Sequence, residues 1–191
     1  MAVGKSNAKI TDKGGNILIN VLLTAGALPT TPTSGTNTFD LGHLSQSSVD
    51  QNASKTSSKS EDGEVQVTSF EYEGITTGTL MQGDKDLIDY LGDTVKGAQV
   101  LQIKYTGVVN GADQWIFEVG QVTPQFKITR PNGANSMPYE FTRQNLTSDF
   151  TLSTAALSAI AATLGLSTSS FFPAATTYTI SSSKNYLIVE V

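Results

Sequence analysis

The side chains that could do chemistry are few in this 191-residue chain, and their spacing does not bring them together. There is one histidine, His43, and no cysteine. A thiolate nucleophile, a disulfide framework and a cysteine-bound metal are therefore excluded. His43 stands among Ser, Thr, Asn, Gln and Gly, with Asp40 as its one near carboxylate. A metal site needs several converging ligands, so a surface or interface histidine is the expected role. Asp84, Asp86 and Asp89 fall around a single short helical pattern, where a cap and a solvated face account for them better than an acid–base pair does. Asp84-Lys85-Asp86 opens like a calcium loop, but the glycine and closing glutamate that such a loop requires are missing. Gly-x-Ser-x-Gly, Walker and dinucleotide fingerprints are absent, as is a basic patch interleaved with aromatics. A non-enzymatic chain with no metal, cofactor or sequence-specific nucleic-acid site is the expectation.

The elements that carry these residues read as strands. Charged residues are 15% of the chain and apolar residues 38%, the balance being rich in Thr, Ser, Asn, Gln and Gly. Such a composition favours strands and polar turns over long surface helices. Ile17, Ile19, Val21 and Leu23 alternate as a first strand, with Leu18 and Leu22 on its other face. Lys5, Lys9 and Lys13 before this run, and Ala25-Gly26-Ala27 after it, have the order of a secretory leader. Asn16, Asn20 and Gly14-Gly15 break that pattern, so a retained strand is expected, and the run is too short to span a membrane. Val65 and Val67, then Phe70 and Tyr72, alternate with a slip of parity at Thr68-Ser69 that predicts a β-bulge. Residues 75–82 return as a strand. Residues 84–91 predict a two-turn helix, with Asp84 as N-cap, Leu87, Ile88 and Leu91 as its apolar face and Gly92 as its stop.

Leu101, Ile103 and Tyr105, then Trp115, Phe117 and Val119, alternate on either side of Asn110-Gly111, a hairpin turn. Phe126 and Ile128, then Met137, Tyr139 and Phe141, continue the meander around Pro131-Asn132-Gly133. An Ala-rich helix is expected over residues 153–164, and a final strand over 186–191. Residues 29–63 are mostly polar, with Phe39, Leu41 and Leu44 as their concentrated apolar residues. That length without a core predicts an arm that orders on a neighbouring protomer, anchored by those three side chains. The fold class expected is mainly β: a two-sheet β-sandwich or partial barrel with a short flanking α-helix, a long polar arm and a C-terminal helix-plus-strand extension. The expected division is a β domain over 1–146, including the arm at 29–63, and an extension over 147–191 packed on that domain or on a neighbour.

The net charge of −5 is unevenly spread. From Glu61 to Asp93 nine acids face Lys85 alone, a local charge of −8 that leaves +3 for the remainder. Opposed local charge is a means by which one protomer recognises the next.

The stretch 60–145 resembles phage tail tube, or major tail, proteins. The likeness is carried by Ser60-Glu61-Asp62-Gly63, Phe70-Glu71-Tyr72-Glu73-Gly74, and Thr77-Gly78-Thr79-Leu80-Met81-Gln82-Gly83-Asp84-Lys85 followed by Leu87-Ile88-Asp89-Tyr90-Leu91. Asn110-Gly111, the run from Glu118-Val119-Gly120 to Pro124-Gln125, and Ser136-Met137-Pro138-Tyr139-Glu140 complete it. The resemblance covers a little under half the chain and does not reach residues 147–191. It implies a virion tail protein, assembled in the host cytoplasm, whose protomers form rings, typically of six, that stack into a tube. It also implies a tail tip or baseplate, a tail terminator and a tape measure protein as partners, and genomic DNA passing without sequence-specific binding. Such lumens are often negative, which lets DNA slide; Glu64, Gln66, Glu71, Glu73, Gln102 and Glu118 are the lumen-facing candidates, with Lys104 on the same face. Two other readings compete: the tube of a type VI or other contractile injection system, which shares that fold, and a secreted carbohydrate-binding β-sandwich, which would display aromatics on one platform.

Overall fold

The computed structural model of the chain describes residues 16–33, 36–59, 65–81, 85–123, 137–163 and 177–190. In chain order the elements are β1 (Asn16–Leu22), β2 (Thr38–Lys59), β3 (Val65–Leu80), α1 (Lys85–Asp89) with a π-helical turn Tyr90–Thr94, β4 (Gln99–Val109) and β5 (Ala112–Thr123). They continue as β6 (Met137–Arg143), β7 (Phe150–Ser153), α2 (Thr154–Thr163), β8 (Thr177–Ile180) and β9 (Tyr186–Glu190). The order β4-β1-β2-β3-β6-β5, together with the pairing of β4 with β5, closes six antiparallel strands into a barrel. The partial barrel expected from alternation is thus a complete one. β9 lies along β5 from Gln114 to Glu118, next to the stretch from Gly120 to Thr123 that β6 occupies. β7 and β8 form a separate two-stranded sheet.

Period-two alternation puts each barrel strand's side chains on two faces; the inner face is buried throughout, and on β1, β4 and β5 the outer face is covered as well. Residues from all six strands meet inside, among them Phe39, Leu41, Leu80, Val100, Val122, Met137 and Phe141. Leu87, Tyr90, Leu91 and Val95, from α1 and the turn after it, join this inner core. A helix this short has no independent stability, and its apolar face holds it in place. Tyr90 stacks on Phe39 with ring centroids 4.2 Å apart. The helix expected to stop at Gly92 instead widens into the π turn and ends at Val95, whose N–H donates to the Tyr90 carbonyl at 3.0 Å. Asp84, the expected cap, lies outside the described residues, as do Phe126, Ile128 and Pro131-Asn132-Gly133.

The outer face of β1, β4 and β5 carries a second core. Ile19, Val21, Leu101, Ile103, Trp115, Phe117 and Val119 pack against Leu152, Leu157, Ile160, Ile180 and Val189. Residues of the stretch after 147 therefore cover the wall of the same chain's barrel. The Ala-rich helix lets that covering sit close, since Ala161 is itself buried. The apolar run that resembles a leader is, in the fold, strand β1 between β2 and β4. Among the described residues no helix is long and apolar enough to cross a membrane.

Four local expectations match the backbone. Asn110 and Gly111 both take positive φ, 52° and 85°, as the two-residue turn between β4 and β5. The bulge falls where the parity slips: Thr56 pairs with Ser69 and Ser57 with Val67, so Thr68 is passed over. α2 and β9 fall within a residue of the expected bounds.

Candidate assembly interface and its polar root

The polar stretch is a strand for most of its length. β2 runs 22 residues and β3 runs 16, far beyond what the barrel uses. β1 accompanies β2 only from Thr38 to Leu44, and β6 accompanies β3 only from Ile75 to Leu80. Past the pair Asp50–Ile75, residues 51–59 and 65–74 pair with each other alone among the described residues. At about 3.4 Å per residue this two-stranded ribbon is roughly 30 Å long. Ser and Thr tolerate the strand geometry while supplying no core. A two-stranded ribbon by itself is marginal in water, and among the described residues nothing pairs with the outer N–H and C=O rows of this one.

The three proposed anchors belong elsewhere. Phe39, Leu41 and Leu44 are buried in the inner core of their own barrel, at the root of β2 rather than on the projecting part. The arm expected over 29–63 is accordingly smaller: residues 38–44 are barrel wall, and the projection begins after them. The reason is partners distant in sequence. Leu44 packs against Gly78, where a β-carbon would overlap its side chain, and Phe39 packs against Tyr90.

The lumen-facing candidates divide in three. Glu73 is exposed on the ribbon. Gln66 and Glu71 lie on β3 with side chains outside the described set, and Glu64 lies outside the described residues altogether. Gln102 and Glu118 are inside the protomer's own barrel, 0% and 2% exposed. Neither of these two is on the protomer's surface. Lys104, on the same face, is buried as well.

These interior side chains form a connected network. Tyr139 donates its hydroxyl proton to Gln102 Oε1 at 2.6 Å. Gln102 Nε2 donates to Glu118 Oε2 at 3.1 Å and to Thr76 Oγ1 at 3.2 Å. Arg143 Nη1 reaches Glu118 Oε1 at 3.2 Å, and Asn20 Nδ2 approaches the Tyr139 hydroxyl at 3.4 Å. Burial pushes the Glu118 carboxyl above its ordinary range, although Arg143, Gln102 and Lys104 pull it down. Burial likewise lowers the Lys104 ammonium, opposed by the Glu118 charge. Burial also raises the Tyr139 hydroxyl, which stays a proton donor. Charged groups this deep persist only when paired and hydrogen-bonded, and Glu118 and Arg143 are in that state.

Asn20, Thr76, Tyr139 and Arg143 were not legible as a site in the sequence. One signal was available: Arg143 is one of two arginines in the chain, and arginine is favoured over lysine for a buried pair.

The outer surface is acidic around α1, where Asp86 and Asp93 are exposed and Lys85 pairs with Asp89. His43 is half-buried, its carbonyl accepting the Met81 N–H at 3.0 Å. Among the described residues no group of three or more His, Asp or Glu could hold a metal ion. Among the described residues the large exposed apolar side chains are Val108 and Val109 at the β4–β5 tip, Ile188 on β9 and Met81 after β3.

No protein-family model matches the chain, and no curated protein matches it. Two solved structures are similar to it in part. A chain described as "Virion of native gene transfer agent (GTA) particle" is 11% identical with a TM-score of 0.40, covering 68% of this chain and 92% of that one. A chain described as "Tail of empty GTA particle computed with helical refinement, C6 symmetry" is 13% identical with a TM-score of 0.41 and the same coverages. At such scores neither likeness carries an argument about what this chain does.

Proposed function

We propose that the chain is a structural subunit of a phage tail tube, assembling into stacked rings, six protomers to a ring, whose lumen conducts DNA. The observation that carries this reading is the ribbon of residues 51–59 and 65–74, which projects from a closed barrel with no partner but itself among the described residues. Closure removes strand edges from the barrel, whereas the ribbon concentrates them in one projection. A second copy of the chain supplies the complementary edges, and a ring that closes on itself leaves none unused. The resemblance of residues 60–145 to tail tube proteins supports the same reading, because the residues that carry it include β3, α1 and the β4–β5 hairpin.

The partners follow from that role: a tail tip or baseplate to start the tube, a tape measure protein within it and a terminator to end it, all in the virion tail. Glu73, exposed on the ribbon, remains the described lumen candidate, and a negative lining repels DNA rather than gripping it. The carbohydrate-binding alternative loses support, because Trp115, Tyr105, Phe117, Tyr139 and Phe141 are all buried and form no outward platform. Negative-stain microscopy of the purified protein tests the proposal. Hollow rings or tubes with sixfold end views are the expected result; a monomer that stays dispersed at high concentration counts against it.

A further inference from the structure

The ribbon leaves the barrel at Gly74, a residue type that weakens a strand interior and marks the close approach of another group. Here that group is Arg143. The guanidinium fills the space beside Gly74, where a β-carbon would overlap its Cζ, Nε and Nη2 atoms. The same guanidinium bonds Glu118 on β5 at 3.2 Å and sits 5.2 Å from the Tyr186 ring centroid on β9. One side chain from the end of β6 therefore touches β3, β5 and β9 at the point where β6 stops accompanying β3. Arg143 is 7% exposed and Glu118 2%. A buried pair is a weak source of net stability and is best explained by the arrangement it selects. Glu118 is in turn held by Gln102 and Thr76, so the guanidinium is anchored to the barrel interior.

We infer that Arg143 is a positioning residue that fixes the direction in which the β2–β3 ribbon leaves the barrel, with Gly74 as the flexible joint it immobilises. This goes beyond the proposed function, since it concerns the isolated protomer; only its consequence for assembly rests on the tube reading. In that reading a ribbon of fixed direction meets its neighbour without first being ordered, so less conformational entropy is lost on association.

Because the chain has no cysteine, spin labels introduced through Asn52→Cys on the ribbon and Gln121→Cys on the barrel are specific. Pulsed dipolar spectroscopy of the labelled monomer reads the spread of distances between them. A single narrow peak is expected for the otherwise unchanged chain. Arg143→Met should lose it to a broad distribution, while the near-ultraviolet dichroism of buried Trp115 reports an intact barrel. Gly74→Ala keeps both charges but occupies the space of the guanidinium, and should broaden the distribution too; it carries the test if Arg143→Met does not fold. A narrow peak retained in a folded variant of either kind overturns the inference, as does a broad distribution in the parent chain. A parent chain that forms no tubes leaves this readout intact and defeats only the tube reading.

Discussion

The barrel and the ribbon share two strands and one kind of pairing, yet they answer to different physics. In the barrel, β2 and β3 are buried on their inner face among residues from all six strands, and a polar network fills the part that apolar side chains do not. In the ribbon, the same two strands continue with each other as sole described partners. The contrast teaches that a strand's length need not report the size of its domain. Here β2 is accompanied by β1 from Thr38 to Leu44, and residues 51–59 pair with β3 alone among the described residues.

Substitution should separate the two regions sharply. Phe141→Ala removes a fully buried ring from the inner core and should cost about 4 kcal/mol in urea unfolding. Glu73→Ala, exposed on the ribbon, should stay within about 0.5 kcal/mol. Glu118→Gln comes next. It leaves the Arg143 charge buried without its counter-charge and should cost about 3 kcal/mol. Pairing Glu118→Leu with Arg143→Met should recover part of that loss, because the Arg143 charge goes with its partner while buried Lys104 is left without the Glu118 charge.

A pH titration sharpens the barrel side. Burial pushes the Asp40 carboxyl from 3.8 up to about 6, against the lowering effect of the Gly42 N–H that donates to it at 2.8 Å. The folded chain therefore holds a proton that the unfolded chain releases. The stability tied to that proton is fully present below about pH 3.8 and lost as pH rises through about 6. Asp40→Asn keeps an acceptor for Gly42 without the ionisation. Relative to the parent it should gain about 3 kcal/mol between pH 3.5 and pH 7, at about 1.36 kcal/mol per pH unit separating the two values. The smallest expected effect is Val108→Ser at the exposed β4–β5 tip, within about 0.5 kcal/mol for the monomer; a larger loss would mean that the tip packs on something in the protomer.

What could be read from the sequence was local. The Asn110-Gly111 turn, the bulge at Thr68, the short helix after β3 and the Ala-rich α2 each follow from a few adjacent residues. What could not be read depends on distance along the chain. Phe39, Leu41 and Leu44 have the pattern of an isolated apolar cluster because their partners, such as Tyr90 and Gly78, lie tens of residues away. Gln102 and Glu118 were placed on a wet face for a related reason. Period two identifies which residues share a face of a strand; whether that face meets solvent depends on closure of the barrel, made by β1–β4 and β5–β6 pairings with no local signature.

In the proposed function the ribbon serves assembly and the barrel does not need it. Asp50 and Ile75 face each other in register, so residues 51–74 can be replaced by Asn-Gly, a two-residue turn suited to that geometry. Removing residues 30–59 instead would take Phe39, Leu41 and Leu44 out of the core. The decisive measurement is negative-stain microscopy of the parent and shortened chains side by side, with thermal unfolding of both. The account predicts hollow tubes for the parent, and for the shortened chain a cooperative transition but dispersed monomers. Normal tubes from the shortened chain would contradict it.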